Sequence, residues 1–188
     1  MKGTIRFLKE LFRFNFVNKR AKLGKDVRID HFTVIEHNVE IGNNTWIGSW
    51  THIREGTKIG CNSEVRDQCY VAGFGVVIGD NTKILQQCNI SQGTKIGDKC
   101  FISVGTTTSN VRRMKHERDY QSVTMAPIIG KGVRMGNGAN ILGSILIADE
   151  SFIGAGAVVT KDTEPFGVYV GNPAKKLREV PKEERIQW

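Results

Sequence analysis

Residues 27–71 read VRIDHF TVIEHN VEIGNN TWIGSW THIREG TKIGCN SEVRDQ CYV, and in blocks of six they align. An aliphatic residue takes the third place of every block: Ile29, Ile35, Ile41, Ile47, Ile53, Ile59, Val65 and Val71. Two places earlier stand Val27, Thr33, Val39, Thr45, Thr51, Thr57, Ser63 and Cys69, nearly all small or β-branched. Side chains alternate across a strand, so these two positions share one face while their neighbours point the other way. Each block is therefore a short strand burying two side chains, closed by a turn that glycine often helps, as at Gly42, Gly48 and Gly60. No single block can bury its inner face. Three strands must close a triangular coil of about 18 residues, and successive coils must stack. Neither the helical period nor the spacing of sandwich strands fits a repeat of six.

Beyond this segment one residue is added around Ala72-Gly-Phe-Gly75, which reads as a bulge. The pattern resumes at Ile78, Ile84, Ile90, Ile96 and Ile102, and after a long interruption returns at Ile129, Met135, Ile141, Ile147, Ile153 and Val159. Nineteen aliphatic positions at three per coil predict an all-β parallel β-helix of about six coils over residues 26–170, with a loop extruded at about 104–126. Asn172-Pro173 reads as an N-cap followed by Pro at the first helical position, predicting a C-terminal helical cap over 171–188.

With 188 residues, 39% apolar and 24% charged, the chain fits one globular domain. Arg6, Lys9, Glu10 and Arg13 interrupt every apolar run near the start, so a spanning helix is not expected there. The formal charge of +8 first suggests nucleic acid or an anionic surface. Residues 1–25, however, hold eight basic residues and one acid, a net +7, so the remainder is nearly neutral and no nucleic-acid partner is expected. In that segment Ile5, Leu8, Leu11 and Phe12 share one helical face, alongside Phe7, Phe14 and Phe16. It is expected to form a basic amphipathic helix that caps the β-helix, or attaches peripherally to an anionic membrane. Cys61, Cys69, Cys88 and Cys100 form no CxxC pair, and three of them occupy the small inward slot, which points to buried thiols in a reducing cytoplasm.

The hexapeptide units, the interruption, Gly154-Ala-Gly-Ala-Val-Val-Thr-Lys-Asp162 and Val170-Gly-Asn-Pro-Ala-Lys175 together resemble the hexapeptide-repeat acyltransferases. The resemblance implies a left-handed β-helix, a homotrimer, and acetyl-CoA bound in the groove between subunits. Thr51-His-Ile-Arg-Glu-Gly-Thr-Lys-Ile-Gly60, Thr82-Lys-Ile-Leu-Gln-Gln87 and Ser109-Asn-Val111 are similar to the branch that N-acetylates nucleotide-linked amino sugars. That branch tends to carry Asn where Gln86 and Gln87 stand, and Pro-Arg after Asn-Val where this chain has Arg112-Arg113, so the sugar O-acetyltransferases remain close.

In the interruption, Arg112, Arg113, Lys115 and Arg118 surround His116, an electropositive loop suited to a phosphorylated ligand such as CoA or a nucleotide sugar. The alternative is a solvated loop. Acyl transfer needs a group that takes the proton of the attacking acceptor. His116 is the expected base, with Asp119 or Glu117 orienting its ring. His52 should point outward, while His31 and His37 fall on corners. The zinc-dependent γ-carbonic anhydrases share the fold, but this chain lacks the closely spaced histidine pair that resembles their site, so no metal is expected. Gln86, Gln87, Asn89, Asn110, Arg112 and Arg113 are the candidates for holding the acceptor. Gly154, Ala155 and Ala157 resemble the family's pantetheine-contacting turn, and Asn172, Lys161, Lys175 and Arg178 complete the cofactor set, with the cations facing the CoA phosphates. Against this enzyme stands a non-catalytic scaffold, which would need neither the basic loop nor the Gly-Asn-Pro-Ala-Lys closing.

Overall fold

The structure, a computed structural model, describes residues 14–111 and 125–187. Two-residue strands follow one another around a triangular solenoid with three flat parallel faces, A, B and C. Face A runs from Phe16–Val17 to Val158–Val159, face B from Lys22–Leu23 to Leu146–Ile147, and face C from Arg28–Ile29 to Phe152–Ile153 and onward into a terminal hairpin. Stacked partners are one coil apart, as in Val34↔His52 and Trp46↔Glu64. After the residue added near Gly73 the pairs become Tyr70↔Asn89 and Lys83↔Glu64, and across the interruption Lys95↔Ile128.

Both inward positions have a physical reason. The aliphatic position fills the axis: Ile35, Ile47, Ile53, Ile84, Ile90, Ile102, Ile147 and Ile153 are wholly buried. The smaller position ties one coil to the next. Thr33 Oγ1 donates to the Gly48 carbonyl at 2.8 Å, Thr51 to Arg66 at 2.7 Å and Thr82 to Gly97 at 2.9 Å. Cysteine does the same work in this slot, Cys69 Sγ reaching Leu85 O at 3.0 Å and Cys100 Sγ reaching Gly130 O at 3.0 Å. Burial pushes the Cys100 thiol up to about 12. The expectation of buried thiols holds for Cys69, Cys88 and Cys100, and Cys61 is half-buried at a corner.

The corners explain the frequent asparagines. Asn38, Asn44, Asn62 and Asn81 adopt φ of 53 to 56°, the left-handed region that Asn tolerates better than most residues. At Gly48 the reason for glycine is contact: a Cβ there would lie 2.5 Å from the Asp67 backbone nitrogen of the next coil.

Four expectations need correction. The faces carry eight, seven and nine strands among the described residues, so the solenoid has about eight coils, not six. It starts at Phe16, because Val17 and Leu23 already hold inward positions within the segment assigned to a basic helix; residues 14–25 contain strands, and residues 1–13 lie outside the described residues. The interruption begins later than 104, since Thr107–Thr108 forms a full rung of face A. Its inward Thr108 bonds Ser91 Oγ at 3.0 Å, so a hydroxyl cluster replaces an aliphatic residue and hides the repeat. The C-terminal helix is absent from the described residues. Gly167–Val170 continues face C, and Lys175–Glu179 folds back antiparallel on it, leaving one short turn at Lys182–Glu184. The hairpin satisfies the last strand's open edge, which a helix packed end-on would leave unpaired. No helix among the described residues is long and apolar enough to cross a membrane.

Candidate active site

Face A presents an outward ladder, one residue per coil: Phe16, Val34, His52, Tyr70, Asn89, Thr107, Asn140 and Val158. The five rungs from His52 to Asn140 are polar or ionisable. Face B differs, its Lys22, Glu40 and Lys58 forming exposed ion pairs at 3.2 and 3.4 Å of the kind that contribute little.

On face A the charges converge. His52 Nε2 lies 2.6 Å from Glu36 Oε1, which reaches up from the corner one coil below. The other Glu36 oxygen accepts the Glu55 backbone N–H at 3.2 Å and lies 3.6 Å from Arg54 Nε. Arg54 also pairs with Glu55 at 3.2 Å, points Nη1 at the Tyr70 hydroxyl 3.4 Å away, and lies over the Phe74 ring at 5.4 Å. Tyr70 meets the His52 ring edge-on, with centroids 5.5 Å apart. The bulge read at Ala72–Gly75 places Phe74 here, through three successive residues of positive φ.

The adjoining Glu55 carboxyl, the His52 ring and the Glu55 backbone N–H hold the Glu36 carboxyl down to about 2, against an opposing effect of burial. Glu36 is therefore an anion at neutral pH and accepts the Nε2–H of His52. In the neutral ring this leaves the lone pair on Nδ1, which has no hydrogen-bond partner among the described residues. The His52 side chain is 37% exposed, enough for a ligand to reach it. A histidine oriented by an ionised carboxylate, its other nitrogen open, can take up a proton and have the resulting charge stabilised. Along the same face, Thr107 Oγ1 donates to Asn140 Oδ1, and Asn140 Nδ2 donates to Gly138 O at 2.8 Å. Exposed Asn89 stands between the two groups.

A family signature described as bacterial transferase hexapeptide (six repeats) matches residues 20–54 and 39–73. The repeat read along the chain is thus the repeat of that signature over residues 20–73. The chain is 34% identical over 125 residues to the serine acetyltransferase of Helicobacter pylori strain 26695, covering 66% of the chain and 59% of that protein. It is 26% identical over 159 residues to the bifunctional protein GlmU of Streptococcus uberis, covering 85% of the chain and 32% of that protein. The chain thus spans from about a third to three fifths of the length of these curated relatives. Its fold matches the crystal structure of the Francisella novicida UDP-N-acetylglucosamine acyltransferase with a TM-score of 0.70 at 20% identity, covering 88% of the chain and 68% of that structure. A left-handed winding of the solenoid fits these neighbours.

The residues expected to act are not all brought together. His116, Asp119, Arg112 and Arg113 lie outside the described residues. Asn110 sits at the root of the insertion, one end of the chain that continues from the Thr107–Thr108 rung. Asn89 is on the ladder, two rungs from His52, about 10 Å at the usual strand spacing. Gln87 stands on the neighbouring corner, donating to Gln68 Oε1 at 3.0 Å, while the Gln86 carbonyl accepts the Gly105 N–H.

Toward the C-terminal end of the solenoid, Ala155, Lys161, Asn172, Lys175 and Arg178 are exposed. Ala157 is wholly buried in the core, so its side chain faces no ligand. Gly154 is also buried, and a Cβ there would meet Val170 Cγ1 at 2.8 Å, so packing against the last strand accounts for this glycine. Asn172-Pro173 is a cis peptide in the turn of the terminal hairpin and caps no helix. Among the described residues no group of three His, Cys, Asp or Glu is placed to hold a metal ion.

Glu36, Arg54, Glu55 and Tyr70 are not singled out by sequence. The usable signal is the coil length, because residues about 18 apart stack and a corner carboxylate 16 residues before His52 falls beside its ring.

Proposed function

We propose that this chain is an acetyl-CoA-dependent acetyltransferase, acting as a homotrimer in the cytoplasm on the amine of a nucleotide-linked amino sugar used in surface-glycan synthesis. The observation that carries the reading is the His52–Glu36 pair on an otherwise polar face. A relative named as a serine acetyltransferase supports acetyl transfer, and the fold shared with a UDP-N-acetylglucosamine acyltransferase supports a nucleotide-linked sugar as acceptor.

In this mechanism His52 Nδ1 takes the proton as the acceptor nitrogen attacks the thioester carbon. The C–N bond forms, the C–S bond breaks, and the proton passes to the departing thiolate. Glu36 holds the ring in its tautomer and stabilises the imidazolium between these events. Attack is direct, within a ternary complex, since neither the ladder nor its corners present an activated nucleophile for a covalent intermediate. Asn89, Gln86 and Gln87 hold the sugar, with Asn110, Arg112 and Arg113 at its nucleotide. Lys161, Lys175 and Arg178 take the CoA phosphates, and the exposed main chain at Ala155 and Gly156 borders the pantetheine. The last rung of the ladder, Val158, is five rungs from His52, about 24 Å, so an elongated cofactor lying along the solenoid axis joins the two ends.

The test is CoA release, followed with a thiol-reactive dye, from acetyl-CoA and a panel of amino and hydroxyl sugars with and without a nucleotide. Release driven by a nucleotide-linked amino sugar is expected. Release driven only by hydroxyl sugars would make the protein an O-acetyltransferase. No release with any acceptor, together with no acetyl-CoA binding by calorimetry, would leave a scaffold. The loop histidine is separated in the same assay: His116→Ala retains turnover if His52 is the base.

A further inference from the structure

At the N-terminal end of the solenoid three aromatic rings stack on the corner between faces C and A. Phe14, Phe32 and Trp50 stand one coil apart, with ring centroids 6.3 Å apart for the first pair and 4.3 Å for the second. They are exposed, Phe14 by 66% and Trp50 by 61%. Phe32 and Trp50 also have φ of 56° and 59°, where this chain most often places Gly or Asn. A bulky side chain is disfavoured in that region, and Trp50 adopts it while staying 61% exposed. The other aromatic residues with positive φ, Phe74 and Phe166, each lie beneath an arginine, Arg54 and Arg185. Among the described residues, the ring partners of Phe32 are Phe14, His31 and Trp50, and no arginine is recorded over Phe32 or Trp50.

The same end is apolar and basic. Phe16, Val17 and Leu23 are exposed on the first coil, and Lys19, Arg20 and Lys25 project from its corners; Lys22 is already paired with Glu40. Residues 14–25 contain no acid. Exposed aromatic rings with a cationic surround match the chemistry of a bilayer interface, where rings sit at headgroup level and cations meet anionic lipid. We propose that the N-terminal end of the solenoid, with the Phe14–Phe32–Trp50 ridge as its wedge, docks on an anionic lipid surface. The contact stands apart from the acetyl-transfer reading, because none of these residues belongs to the His52 site.

Flotation of the full chain with phosphatidylcholine vesicles, or with vesicles containing about 30 mol% phosphatidylglycerol, tests this. The anionic vesicles should bind at least about fivefold more protein, and salt at about 0.5 M should remove the difference. The double variant Phe32→Asn, Trp50→Asn places the chain's own preferred corner residue at both sites, so it should unfold at the wild-type temperature or above while losing at least about tenfold in partitioning. The pair Lys19→Glu, Arg20→Glu should lose the anionic preference. Equal binding to both vesicle types, or unchanged binding by the Asn double variant, would overturn the proposal. So would self-association that the Asn variant abolishes, with no vesicle binding, since the ridge would then join two copies of the chain.

Discussion

Glu36 Oε1 and His52 Nε2, sixteen residues apart in sequence, meet at 2.6 Å because the solenoid lays one coil on the next. Glu36 is held low by the groups around it, so its contribution to stability has a definite pH window. A depressed carboxylate stabilises the fold above its ordinary pKa of about 4.5, and that contribution is lost as pH falls from there toward 2. Solvent reaches the pair and screens it, so Glu36→Gln should be less stable than the wild type at pH 7 by about 1 kcal/mol. The gap should shrink as pH falls below about 4.5 and close toward about 2, read from urea midpoints at each pH. A gap independent of pH would show that the carboxylate charge is not what matters.

The inward hydroxyl is a second place to press. Thr51 Oγ1 donates to Arg66 O at 2.7 Å and accepts the Cys69 N–H at 3.3 Å. Thr51→Val keeps the shape and leaves both backbone groups without that partner, which should cost about 1–3 kcal/mol by urea denaturation. Thr51→Cys, matching the residue one coil above, should cost less than half as much. Equal loss in the two variants would mean that the hydroxyl bonds contribute nothing.

Two glycines should respond in opposite ways. At Gly48 a Cβ would lie 2.5 Å from Asp67 N, and coils held by stacked strands cannot move apart locally, so Gly48→Ala should lower the melting temperature by about 10 °C or more. Gly56 has φ of 70°, and a Cβ added there would meet nothing within 4 Å, so Gly56→Asn should melt within a few degrees of the wild type. Similar melting temperatures for both variants would contradict this account of the corners.

The buried thiols should be silent. Cys69, Cys88 and Cys100 are enclosed, and Cys61 alone is half-buried at a corner. Native protein should react with one equivalent of a thiol-reactive disulfide reagent at about pH 8, and with four after unfolding. Two or more equivalents reacting rapidly in the native state would show that the coils open at the inward slot.

These particulars also show what a sequence of this kind discloses. Ile29 to Val71 reveal the period because an inward strand position admits few residues, and Cys69 and Cys100 can be read as buried because their slot is already defined. Thr108 conceals a rung, since hydroxyl groups from Ser91 and Thr94 satisfy it inside the core where the repeat otherwise holds an aliphatic residue. Asn172-Pro173 followed by Ala174 suggests a helix from local capping chemistry, whereas the open sheet edge, a tertiary feature, selects a strand. The Glu36–His52 contact is legible only through the coil length, because it depends on which corner lies beneath which strand. Ala157 is assigned to a ligand by resemblance, yet its place in the repeat, two before Val159, already marks it as inward.

The most direct test of the central claim is the steady-state rate of CoA release with a nucleotide-linked amino sugar, compared between the wild type and His52→Ala. The account predicts a fall in kcat of at least about 100-fold, with KM for acetyl-CoA within about threefold, as expected when a general base is removed. Full activity in His52→Ala, with activity lost instead in His116→Ala, would contradict the assignment of face A as the catalytic surface.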